Sequence, residues 1–168
     1  MSSISTYDKV REVWHEVDRL NNETASADKF MESVVLLLQE KMLKYNWVGF
    51  YMMEPGTTPP VLTLGHFQGA MTPHTRIPLN EGICGAAASS GKTIVIDDVR
   101  NDARYLACSI ETRSEIVVPI FLHGEVAGEL DIDSHFLSAF TADDRELVEH
   151  CAKLVGKKLE QEEKTSHH

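Results

Sequence analysis

The sequence has no apolar run approaching the ~18 residues that a membrane-spanning helix requires, so a membrane protein is not expected. Its opening, MSSISTYDKVREVW, lacks the basic-then-apolar order of a secretory signal, which makes a cytoplasmic location the expectation. Cysteine is scarce, three in 168 residues, and in that compartment the thiols are expected to be reduced. Positive charge is also short. Sixteen Lys and Arg stand against 26 Asp and Glu, a formal net charge of −10, with no basic patch to meet phosphates, so nucleic acid is excluded as a partner. There is no internal repeat, and no metal or bound cofactor is expected. What is present, 42% hydrophobic and 25% charged residues over 168 positions, suits one soluble domain spanning the chain.

Within that domain three parts are expected: helices over 7–44, a sheet with a pocket over 45–134, and a closing helix over 141–162. In YDKVREVWHEVDRL, Val10, Trp14, Val17 and Leu20 recur at helical spacing and Asn21-Asn22 ends the run. A second helix over 27–44 presents Phe30, Val34, Leu37, Leu38 and Met42 as a wide apolar face for a sheet. NWVGFYMME then alternates as a strand, placing Trp47, Gly49 and Tyr51 on one side. Residues 61–67 read as its partner after a Pro-rich turn. The segment 70–82, with two prolines and no period, reads as a surface loop that covers a site. A short Ala-rich helix follows over 84–90, and Cys84 in its first turn is placed for thiolate stabilisation by the helix dipole. Residues 92–97 read as a strand and 98–107 as a loop or broken helix. Thr141 with Asp144 resembles a capping box opening the last helix, where Cys151 is a small core hydrophobe.

The chemistry concentrates in YLACSIETRSEIVVPIFLHGEVAGELDIDS, residues 105–134. Cys108 is the reactive candidate. Glu115 opens a strand over 116–122, His123-Gly124 reads as a hairpin turn, and 126–133 returns alongside. At period two, Asp131 and Asp133 share one face while Leu130 and Ile132 face the core. A thiol facing three carboxylates points to chemistry rather than to packing.

Taken together, NWVGFY, GHFQG, RIPLNEGICG, AC-x6-EIVVPI and GELDIDS resemble the free methionine-(R)-sulfoxide reductases, enzymes built on a single GAF domain. The match spans about 45–145. The resemblance implies an α+β fold, an antiparallel sheet of five or six strands flanked by helices, and a closed pocket over Cys108. It also implies an activity: reduction of free methionine sulfoxide by thiolate attack on sulfur, leaving a cysteine sulfenic acid. Cys108 matches the attacking cysteine, with Cys84 as the second candidate. Glu115, Asp131 and Asp133 match the substrate-pocket carboxylates, and Trp47 and Tyr51 match the aromatics around the thioether end.

At one position the sequence departs from the pattern. Where the family carries a third, resolving cysteine before the RIP motif, His74 stands here. Regeneration then falls to Cys84 or to an external thiol reductant, a thioredoxin-type protein or a small thiol. Two other classes stay open: a non-catalytic GAF sensor of a small molecule, and a peroxide-sensing thiol protein. A homodimer is an open alternative to a monomer.

Overall fold

The computed structural model describes residues 6–105 and 110–166. Eleven elements run in the order α1 (Thr6–Glu23), α2 (Ala27–Lys41), β1 (Trp47–Met53), β2 (Val61–Gln68), β3 (Arg76–Pro78), α3 (Gly82–Ser90), β4 (Ile94–Ile96), a 3-10 turn (Val99–Asn101), β5 (Ser114–Leu122), β6 (Glu125–Ser134) and α4 (Ala142–Ser166). The six strands form one antiparallel sheet in the order β3-β2-β1-β6-β5-β4. Period-two alternation splits the strand side chains between two cores. Val48, Phe50, Ile116, Val118, Ile120, Leu130 and Ile132 meet the apolar stripes of α1, α2 and α4. On the other face Trp47, Tyr51, Leu62, Ile77 and Val117 meet Ile83, Cys84, Ala87 and Ala88 of α3.

The β5–β6 hairpin turns where the sequence places it. Leu122 pairs with Glu125, and His123 (φ 52°) and Gly124 (φ 77°) are both left-handed, as a two-residue turn matching the strand twist requires. The capping box also forms: the Thr141 amide and hydroxyl donate to Asp144 Oδ2 at 2.9 and 2.7 Å, and the Asp144 amide returns to Thr141 Oγ1.

Several boundaries differ from the sequence reading, including the start of α3 at Gly82 and the shorter β4. Helix α1 runs through Asn21-Asn22 to Glu23, because Lys158 of α4 donates to the carbonyls of Asn21 and Thr24 that the helix end would leave bare. Helix α2 stops at Lys41 instead of 44: Met42 is extended, and Tyr45 turns into the core, where its hydroxyl donates to Asp144. Helix α4 continues to Ser166. The segment 70–82 is not all loop, since 76–78 forms β3 against Val61–Thr63 of β2. A three-residue strand ending in Pro78 is too short to show a period.

A candidate active site of buried acids

The sheet register builds the site in layers. Trp47 of β1 lies beside Asp133 of β6, which lies beside Glu115 of β5; Gly49 lies beside Asp131, which lies beside Val117; Tyr51 lies beside Glu129, which lies beside Pro119. All of these face α3. The carboxylic acids are out of water: Glu115 is 5% exposed, Asp131 2%, Asp133 3% and Glu129 0%. Helix α3 closes the layer from above and places Cys84 Sγ 3.4 Å from Asp131 Oδ2, with the thiol donating. A thiol sulfur, a Glu115 oxygen and an Asp131 oxygen all lie within 4.8 Å of one another.

The aromatic side chains hold the loop that covers this face. Tyr51 hydroxyl donates to His74 O at 2.7 Å, and Trp47 Nε1 donates to Ala70 O at 3.1 Å. The Trp47 ring stacks on Phe67, 5.8 Å between centroids, and folds across Gly49, where a Cβ would run into the ring. Between loop, helix and sheet lies a cavity of about 20 Å³, lined by Tyr51, His74, Ile77, Gly82, Ile83, Cys84, Glu115 and Asp131. That is room for about one water-sized sphere, so a ligand of amino-acid size enters only if the covering segment shifts.

Burial dominates the titration of the cluster. It pushes Glu115 well above the ordinary carboxyl range, and the charges of Asp131 and Asp133 add to the rise. Asp133 is raised by burial and by Asp131, with a hydrogen bond from Glu115 opposing. Asp131 is raised less far, because Glu115 and the Cys84 thiol both hydrogen-bond to it and favour its anion. Burial thus favours the protonated form of both acids, while the hydrogen bonds reaching Asp131 favour its anion. Two neighbouring carboxyls in different protonation states can do two jobs, holding a cation and donating a proton.

The same burial reverses one expectation. Cys84 sits in the first turn of α3, yet its thiol is raised well above its usual range by burial and by Asp131, Glu129 and Glu115. Desolvation and three acids outweigh the helix dipole, which acts only over the first turn. Cys151 is pushed up to about 12 by burial, with Asp18 adding, and is packed in the main core as the sequence anticipates.

Of the sequence candidates, Cys84, Glu115, Asp131 and Tyr51 come together around the cavity. Asp133 lies one layer along, and Trp47 buttresses the cover without lining the cavity. Cys108 lies outside the described residues. Glu129 was missed. It stands two before Asp131 in GELDIDS, so period-two alternation alone assigns it to the same face.

Comparison with known proteins bears on what this layered site is. The GAF domain family matches residues 26–159. The free methionine-R-sulfoxide reductase of Escherichia coli strain K12 is 37% identical over 71% of this chain and 72% of its own length. The chain belongs to the free methionine-R-sulfoxide reductases of the GAF domain family. A second reductase of this family, from Saccharomyces cerevisiae, is 40% identical over 67% of this chain and 62% of its own. The crystal structure of the Neisseria meningitidis reductase in complex with its substrate superposes over 98% of this chain and 96% of that one. Its TM-score is 0.89, at 32% identity.

Proposed function

We propose that this protein reduces free methionine-(R)-sulfoxide to methionine, with Cys108 as the nucleophile and the buried acids as the recognition and proton-donating groups. The observation that carries this reading is the closed acidic face, where Cys84, Glu115 and Asp131 line one cavity and the hydrogen bonds reaching Asp131 favour its anion. An anion there suits the α-ammonium of a free amino acid, which a peptide amide does not possess. Protonated Glu115 is suited to hydrogen-bond the sulfoxide oxygen and pass it a proton. Attack of the Cys108 thiolate on the sulfoxide sulfur forms an S–S bond. Proton transfer to oxygen and transfer of the resulting hydroxyl to the cysteine sulfur then release methionine and leave Cys108 as a sulfenic acid. The sulfoxide sulfur is reduced and the cysteine sulfur is oxidised by two electrons, and no metal takes part.

Regeneration needs a thiol. The high-lying thiol of buried Cys84 makes it a weak nucleophile near neutral pH, which favours an external thiol reductant, a small thiol or a thioredoxin-type protein. That thiol displaces hydroxide from the sulfenic acid, releasing water and leaving a mixed disulfide, which a second thiol reduces. The chemistry requires a reducing compartment, in keeping with the cytoplasm.

A reductase assay on purified protein with a small thiol, comparing the free R-sulfoxide, the free S-sulfoxide and the N-acetylated R-sulfoxide of methionine, tests the reading. Turnover is expected with the free R form only. Blocking the ammonium removes charge-assisted bonds worth about 1.5–3 kcal/mol each. Equal efficiency with free and N-acetylated substrate would refute the role given to the acids, and no turnover on any of the three would refute the activity.

A further inference from the structure

We infer that Cys84, Glu115, Glu129 and Asp131 also form a binding site for a thiophilic divalent cation of the zinc type, whose occupancy excludes the amino-acid substrate. The exclusion rests on the function proposed above, whereas the cation site rests on geometry alone. Three of the four donors are already gathered, with the Cys84 sulfur, a Glu115 oxygen and an Asp131 oxygen mutually within 4.8 Å. The Cys84–Asp131 separation is 3.4 Å. Tetrahedral zinc, with Zn–S about 2.3 Å and Zn–O about 2.1 Å, spaces a sulfur and an oxygen ligand by about 3.6 Å. These three side chains also line the 20 Å³ cavity, a volume suited to one bare ion and far too small for an amino acid.

Glu129 supplies the independent observation. Its side chain is wholly buried, and among the described residues its carboxyl is met by the Cys84 thiol and by no other hydrogen-bond partner. The proposed reductase chemistry gives it no task. A buried carboxyl met only by a weak thiol is costly, and a divalent cation shared with Cys84 and Asp131 would satisfy it. One sulfur with carboxylate oxygens suits zinc or cadmium; magnesium and calcium take oxygen ligands in larger, wetter shells. On binding, the Cys84 thiol proton and the protons carried by the ligating carboxyls pass to solvent, metal–sulfur and metal–oxygen bonds form, and no electron is transferred.

The test uses the full, reduced, chelator-treated chain and cadmium ion alone, read by the thiolate-to-metal charge-transfer absorption that reports sulfur ligation. One equivalent per chain is expected to produce the band in the wild type, in Cys108→Ser and in Cys151→Ala. Cys84→Ser is expected to lose it, and the near-isosteric Glu129→Gln to bind at least about tenfold more weakly. Free methionine should compete, raising the apparent dissociation constant. A wild type without the band, a band that survives Cys84→Ser, or wild-type affinity in Glu129→Gln would each overturn the site. Binding indifferent to methionine would overturn the exclusion. Sulfoxide reduction measured separately on the metal-free protein keeps this outcome apart from failure of the proposed activity.

Discussion

At the scale of single residues, the two described thiols, Cys84 and Cys151, are both buried but among different neighbours. Cys151 is enclosed by the main core and held as a thiol, so Cys151→Ala should leave turnover unchanged and cost stability alone, read from a thermal melt. Cys108→Ser should abolish turnover, since a hydroxyl does not replace a thiolate on sulfoxide sulfur; a normal rate would remove Cys108 from the mechanism. The informative variant is Cys84→Ser. With the Cys84 thiol buried against Asp131, steady-state cycling with a small thiol should persist. A burst of one turnover followed by arrest, or a stoichiometric Cys84–Cys108 disulfide in the wild type after one equivalent of sulfoxide, would instead make Cys84 the resolving thiol. Sequence spacing placed Cys84 in a first helical turn but not its ionisation, because that position favours the thiolate while burial among acids opposes it more strongly.

Among the elements, β1 and α4 each carry a contact that positions something distant. Residue 49 must be glycine for the Trp47 ring to lie across the strand and hold Ala70 through Nε1. Gly49→Ala should displace the ring, cost about 1–3 kcal/mol of stability by overpacking, and raise KM more than it lowers kcat. Unchanged KM would mean that the Trp47 tether does not govern the cover of the site. In α4, Lys158 is 7% exposed and lies over the Phe30 ring, 5.3 Å from nitrogen to centroid, while it donates to the end of α1. Lys158→Met keeps the bulk and strands those carbonyls, so a loss of about 1–3 kcal/mol is expected in urea unfolding, with catalysis intact.

For the whole molecule, the buried acids tie stability to pH in an unusual direction. Glu115, Glu129, Asp131 and Asp133 all have folded-state values above their ordinary 4.5 or 3.8, chiefly through burial. The folded protein therefore binds more protons than the unfolded chain once pH exceeds the unfolded values, and stability must fall as pH rises from about 4.5 toward the raised values. Melting temperature of the ligand-free protein is expected to be lower at pH 8 than at pH 5.5, and Glu129→Gln should flatten that slope. A melting temperature that climbs over this range would contradict the shared proton load of the site.

The local pieces are written in short-range patterns. Period-two alternation put Asp131 and Asp133 opposite Leu130 and Ile132, His123-Gly124 set the hairpin, and the apolar stripes set α1, α2 and α4, because each rests on contacts within a few residues. The same alternation carries Glu129, two residues before Asp131, onto the acidic face. What the pieces meet depends on long-range packing. The pairing of β1 with β6 brings Tyr51 and Trp47 beside the acids, α3 lowers Cys84 onto Asp131, and β2 draws 76–78 into the sheet. The protonation of the acids is decided at the same level, since desolvation and mutual repulsion depend on distances between residues far apart in the chain, which no local pattern encodes.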